Sequence, residues 1–217
     1  MLPTITGLAD EGTPFRGVLY AGLMLTADGP KVLEFNCRLG DPEAQVLLPL
    51  LRTPLHQIAS AIASGDITQV GPIEWSSDVT VGVVLASGAY PLAKSEPALI
   101  SGLGDIEQGS FVYRGATEAC GAVSLQPLYE GGRKTSIFRT LFPGSSAAAL
   151  TATSLDREIV ADGGRILTVV GIGTSIEAAR SVAYENIARI GLDGAQYRTD
   201  IGLRELETTS GVQGVEA

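Results

Sequence analysis

The stretch Lys31 to Leu51, KVLEFNCRLGDPEAQVLLPLL, changes its hydrophobic period in mid-course, and that change restricts what can be built around it. Lys31 to Asn36 reads as a strand, with Leu33 and Phe35 facing one way and Glu34 and Asn36 the other. Val46, Leu47 and Leu50 then fall at helical spacing. Gly40-Asp41-Pro42-Glu43 turns the chain between them, with Asp41 expected as helix N-cap and Pro42 at the first helical position. Upstream, Thr13 to Thr26 is rich in Val, Leu and Tyr, and Ala27-Asp28-Gly29-Pro30 reads as a turn. The strand is therefore expected to be the second arm of a β-hairpin.

The same stretch concentrates chemistry. Glu34 to Glu43 spans ten residues and holds a carboxylate, a carboxamide, a guanidinium and two more carboxylates. Glu34 and Asn36, on one face and one residue apart, can reach a common ion. They are hard oxygen donors suited to Mg²⁺ or Mn²⁺. Magnesium usually takes one or two protein oxygens and completes its octahedron with nucleotide phosphates and water. Arg38 follows two residues later, where its planar fork could hold a phosphate or carboxylate oxygen. A metal beside an arginine is the usual means of spreading charge in phosphoryl transfer. The competing reading is a solvated strand end and a capped helix, whose N-terminus Asp41 and Glu43 would stabilise by a few tenths to about 1 kcal/mol. It accounts for those two carboxylates, but not for Glu34, Asn36 and Arg38 together.

The rest of the chain supplies context. Met1 to Glu11 reads as the tail of a helix that stops at Gly12, and a chain opening inside an element reads as a fragment. A helix is expected from Thr53-Pro54 to Gly65, with Leu55, Ile58, Ala59 and Ile62 on one face and His56 in its first turn, in a surface or packing role. Gly71-Pro72 and Trp75-Ser76-Ser77-Asp78 break regular structure, which divides the chain into residues 1–70 and 71–217. Val79 to Ala86 is an apolar run expected to be a buried strand. Short strands are expected around Leu99 to Ile106 and Ser110 to Arg114. Residues 120–154 read as an insertion, a long loop with a basic turn at Arg133, Lys134 and Arg139. Glu158 to Gly173 resumes as strand, turn and strand. Gly171-Ile172-Gly173 lacks the third glycine of a dinucleotide fingerprint. Thr174 and Glu177 are expected to form a capping box, ahead of an apolar stripe at Ile176, Ala179, Val182, Ala183, Ile187 and Ile190. A disordered tail is expected from about Thr208.

Composition removes several functional classes. The formal net charge is -9, from 24 acidic and 15 basic residues, and such a surface repels nucleic-acid backbones. No apolar run reaches membrane-spanning length, and Cys37 and Cys120 do not make a disulfide framework. The expected compartment is the cytoplasm. Twenty-seven glycines and eleven prolines favour turns and short strands over long helices.

GVLYAGLMLTADGPKVLEFNCRLGDPEAQVLLPLL, VVLASGAYP, ADGGRILTVVGIG and the terminal YRTDIG resemble, in that order, the phosphoribosylamine–glycine ligase (glycinamide ribonucleotide synthetase) family. The resemblance implies an α+β fold: the C-terminal part of an ATP-grasp domain, made of antiparallel strands with flanking helices, followed by a small, mainly-β domain with one long helix. It implies a step of purine biosynthesis in which ATP phosphorylates glycine to glycyl phosphate, and the amine of 5-phosphoribosylamine attacks it. Glu34 and Asn36 would then be the metal ligands between the ATP phosphates, and Arg38 would sit at the transferred phosphate. Asp41 and Glu43 would position substrate, and Leu33 would pack on adenine. Leu39, Ala44 and Ala89 depart from the family pattern. The glycine-rich loop, nucleotide-binding lysine and adenine hinge belong to an N-terminal half that the resemblance places before position 1, so this chain is expected to act only with that half as partner. Two alternatives stand beside this reading: a related ATP-grasp carboxylase or carboxyaminoimidazole ribonucleotide synthetase, and a non-catalytic folding or association module.

Overall fold

The computed structural model describes residues 1–93, 96–120, 129–130, 133–134 and 158–206. In chain order its strands are β1 (Tyr20–Thr26), β2 (Gly29–Asn36), β3 (Val79–Ser87), β4 (Ala98–Ile100), β5 (Ser110–Arg114), β6 (Thr117–Cys120), β7 (Tyr129–Glu130), β8 (Arg133–Lys134), β9 (Glu158–Ala161), β10 (Arg165–Gly173) and β11 (Ala195–Gln196). Among the described residues the α-helices include α1 (Leu2–Asp10), α2 (Glu43–Leu47), α3 (Leu55–Ser64) and α4 (Ile176–Ile187), residues 203–206 are helical too, and 3₁₀ turns lie at Leu48–Leu50, Ile67–Val70 and Leu103–Asp105. The strand pairs are antiparallel, so the fold is α+β.

The apolar runs VTVGVVLA and RILTVVGIG become β3 and β10, the centre of a four-stranded sheet ordered β11-β3-β10-β5. Alternation sends Val81, Val83 and Leu85 to one face together with Leu167 and Val169, where α4 covers them with Ala179, Ala183 and Ile187. Each large side chain buried there is worth about 1.5–3 kcal/mol. Small residues let the helix lie close, since a Cβ at Gly171 would collide with the carbonyl oxygen of Ala179. The expected stripe holds at Ala179, Ala183 and Ile187, and a buried amide joins it. Asn186 accepts the Glu107 N–H at 2.8 Å and donates to the Val182 carbonyl at 2.9 Å, so both ends of its side chain are satisfied.

Two helix starts differ from expectation. Ser175, not Thr174, caps α4, its Oγ accepting the Ala178 N–H at 3.2 Å. Glu177 then lies too early in the helix to close a capping box. Pro42 rather than Asp41 occupies the N-cap of α2, without a side-chain cap. α2 is short because Pro49 has no N–H to continue the ladder, and the chain tightens into the Leu48–Leu50 turn. In α3, which ends on left-handed Gly65, Ala61 is the buried residue, whereas Leu55 and Ala59 are exposed and Ile58 and Ile62 half-buried. His56 is exposed, in keeping with a surface role.

α2 packs on the sheet face opposite α4. Thr80 Oγ1 donates to the Val46 carbonyl at 2.7 Å, and a Cβ on Gly82 would come within 2.6 Å of Val46 Cγ1. The turn after β9 carries the chain between sheets, because β9 pairs with β4 and β6 and not with β10. The Tyr197–Gly202 motif is strapped to α4: Arg180 donates to the carbonyls of Ile201 and Thr199 at 3.0 and 2.6 Å, and Tyr184 donates to that of Arg198 at 2.6 Å. Arg139 of the expected basic turn, most of the expected insertion and the tail from Thr208 lie outside the described residues.

Candidate functional site

The hairpin register sets the site. Asn36 pairs with Tyr20 and Glu34 with Gly22, so these four positions share a face. Gly22 leaves room for its neighbour, since a Cβ there would sit 3.1 Å from Glu34 Cγ. Asn36 Nδ2 donates to Glu34 Oε1 at 2.9 Å, which brings the two expected metal ligands together. Next to them the register slips, Leu23 pairing with Val32, and Leu33 is the extra residue of a β-bulge. Strict alternation therefore fails at Leu33. Phe35 lies opposite the Glu34 face and is joined there by Val32, Leu23 and Leu25, while Leu33 has no cross-strand partner and is 64% exposed.

Beyond the strand, Arg38 is exposed and its Nη1 donates to the Leu39 carbonyl at 2.9 Å. The two carboxylates that follow are engaged within the chain. Asp41 Oδ1 accepts from Gln45 Nε2 at 2.8 Å, and Oδ2 meets Arg165 Nη2 at 2.8 Å. Glu43 folds across the buried Gly40, where a Cβ would displace its carboxylate, and accepts from the Tyr20 hydroxyl at 2.9 Å. That hydrogen bond, and then the Glu43 charge, hold the Tyr20 phenol above its ordinary pKa.

Tyr20 and Arg165 are the site neighbours that sequence reasoning missed. Tyr20 carried a usable signal, because a register that sets Gly22 against Glu34 also sets Tyr20 opposite Asn36. Arg165 carried none, lying 124 residues from the carboxylate it meets. A cleft of about 340 Å³ adjoins the loop, between Pro42, Glu43 and Val46 on one side and Ile201 and Gly202 of the C-terminal strap on the other. Among the described residues no group of three or more His, Cys, Asp or Glu is placed to hold a metal. A two-donor site of carboxylate and carboxamide suits an ion that draws its other ligands from a nucleotide and water.

The family model described as phosphoribosylglycinamide synthetase, C domain, matches residues 80–204, and that of the ATP-grasp (A) domain matches residues 1–44. The chain belongs to the phosphoribosylglycinamide synthetase family. Relatives of this chain include the phosphoribosylamine–glycine ligase of Synechocystis sp., 37% identical over 94% of the chain and 41% of the relative. That of Mycobacterium tuberculosis is 40% identical over 94% of the chain and 40% of the relative. The trifunctional purine biosynthetic protein adenosine-3 of Gallus gallus is 36% identical over 98% of the chain and 18% of the relative. The crystal structure of the Thermotoga maritima phosphoribosylamine–glycine ligase superposes with a TM-score of 0.61 at 27% identity, covering 90% of this chain and 39% of that one. The chain thus spans about 40% of the length of the ligases it matches. Among the described residues no helix is long and apolar enough to cross a membrane.

Proposed function

We propose that this chain forms one wall of the ATP site of a carbon–nitrogen ligase that joins glycine to 5-phosphoribosylamine. The observation that carries the reading is the Glu34–Asn36 contact of 2.9 Å at the end of β2, followed by Arg38, in a chain of the synthetase family. Residues 1–70 close an ATP-grasp domain, and residues 71–217 form the domain behind it. The remainder of the clamp comes from the part of the family's fold that this chain does not span.

Glu34 and Asn36 fit a hard divalent ion, Mg²⁺ or Mn²⁺, with the Asn36 amide turned to offer its oxygen. When bound, the ion neutralises charge on the ATP phosphates. Arg38 turns from the Leu39 carbonyl toward the transferred phosphoryl group, where a guanidinium fork stabilises developing negative charge. The glycine carboxylate takes the γ-phosphoryl group from ATP and releases ADP. The amine of phosphoribosylamine then attacks the acyl carbon, phosphate leaves, and the nitrogen loses a proton as the amide forms. Asp41 and Glu43 border this space and can meet a substrate amine with lone pairs left over from their bonds within the chain. Leu33, unpaired in its bulge, offers apolar surface to adenine. A nucleotide meeting both Leu33 and Glu34 would pass the edge of β2, which the two-stranded hairpin leaves open.

The test joins this chain to the N-terminal part of a family ligase. Glu34→Ala is expected to abolish glycine-dependent ADP formation, and unchanged turnover at saturating Mg²⁺ would sink the metal-ligand assignment. The chain by itself is expected to bind Mg-ATP weakly or not at all by calorimetry. Tight binding would show that the single wall is a complete site.

A further inference from the structure

The loop from Cys37 to Glu43 carries Arg38 between the hairpin and α2, and two different sheets hold it. Tyr20 of β1 grips Glu43 from the hairpin side. Arg165, the first residue of β10, grips Asp41 from the other sheet, and does so twice. Its Nη2 meets Asp41 Oδ2 at 2.8 Å, and its Nη1 donates to the Asp41 main-chain carbonyl at 2.7 Å. The second bond matters most, because a carboxylate can swing about its side-chain torsions whereas a gripped carbonyl fixes the backbone. Gln45 holds the remaining Asp41 oxygen, and α2 behind the loop is seated on β3 through Thr80 and Gly82.

We infer that Arg165 is a positioning residue for the ligase site: from a strand outside the hairpin, it sets where the loop bearing Arg38 lies relative to Glu34 and Asn36. The catalytic consequence rests on the ligase reading above, and the anchoring itself does not. The side chains of Arg165 and Asp41 are 41% and 47% exposed, so charge attraction alone is screened and worth little. What the pair supplies is geometry. A guanidinium presents two donors in a rigid fork, to a side-chain and a main-chain acceptor of one residue. A lysine offers a point charge that satisfies one of them well.

Hydrogen exchange tests the anchor. The Ala44 and Gln45 amides bond to the Gly40 and Pro42 carbonyls within this loop. Arg165→Met is expected to speed their exchange by about tenfold or more while the Val83 and Val169 amides of β3 and β10 keep their protection. Arg165→Lys is expected to fall between wild type and the Met variant. Once the chain is joined to the N-terminal part of a family ligase, the Met variant is expected to lose roughly 10–100-fold in kcat with the KM for ATP within about twofold, since misplacing a catalytic group by ~1 Å costs on that order. Wild-type loop exchange in the Met variant overturns the inference, as does an equal rise through β3 and β10 or wild-type turnover. If the joined wild-type enzyme forms no ADP with glycine, the ligase reading fails, and the exchange experiment still decides the anchor.

Discussion

Tyr20 and Glu43 face each other across 2.9 Å at the edge of the site, and the bond is legible in a titration. A phenol donating to a carboxylate resists ionisation, so the Tyr20 pKa lies above the ordinary 10.0. The bond is fully present below that ordinary value and is lost as pH rises through the raised one. In an ultraviolet absorbance titration, the difference between wild type and Tyr20→Phe is expected to centre above 10.0. The same difference measured in a Glu43→Gln background should move down toward it. Identical midpoints in the two backgrounds would rule the bond out. At this scale the sequence was informative where function lies along one strand. Spacing along one strand gathers Glu34, Asn36 and Arg38 into a cluster whose roles only the family resemblance implies, and Leu33 departs from the spacing, because a bulge inserts it between paired residues. Nothing local marks Arg165, whose meaning depends on a contact 124 residues away along the chain.

The elements dock through missing side chains. Gly82 accepts Val46 of α2 where a Cβ would sit 2.6 Å from Val46 Cγ1. Gly82→Ala is expected to cost about 1–3 kcal/mol in denaturant unfolding, as overpacking does. Adding Val46→Ala should recover part of that loss, and two losses that merely add would show that the helix does not sit on this spot. Helix starts give a second check. Ser175→Ala is expected to cost about 1 kcal/mol and Thr174→Ala less than half of that, because the Ser175 side chain makes the cap. The opposite order would restore the capping box expected from Thr174 and Glu177. β3 and β10 were readable because strands buried on both faces carry uninterrupted apolar runs. The start of α4 is ambiguous by one residue in the sequence because two adjacent hydroxyls offer the same chemistry. The helical spacing of Val46, Leu47 and Leu50 does not show that Pro49 ends α2 at Leu47.

Across the whole molecule, apolar surface is unevenly covered. The β3–β10 sheet is closed by α4, whereas the hairpin leaves Leu23, Leu25, Val32 and Phe35 open on one face, Leu25 with 82% exposure. Such a patch beside open strand edges drives association. The isolated chain is therefore expected to self-associate in light scattering, and Leu25→Glu with Val32→Glu to return it toward monomer. A wild-type chain that stays monomeric at high concentration would refute this. The sequence foresaw an α+β chain with a hairpin ahead of a sheet and helix. It did not foresee that β9 and β10, consecutive along the chain, belong to different sheets, because sheet membership is settled by long-range pairing. The pairing of β6 with β9 has its own consequence. Cys120 stands opposite Glu158, so the chain leaves this sheet and re-enters it at a single point. Closing a loop whose ends are already neighbours costs entropy that grows as the logarithm of its length, about 0.6 kcal/mol per doubling. The entropic cost of joining these two strands therefore depends only weakly on the length of chain between them. Exchanging residues 121–157 for an Asn-Gly turn should leave the main sheet folded, with the Val83 and Val169 amides keeping their protection in hydrogen exchange.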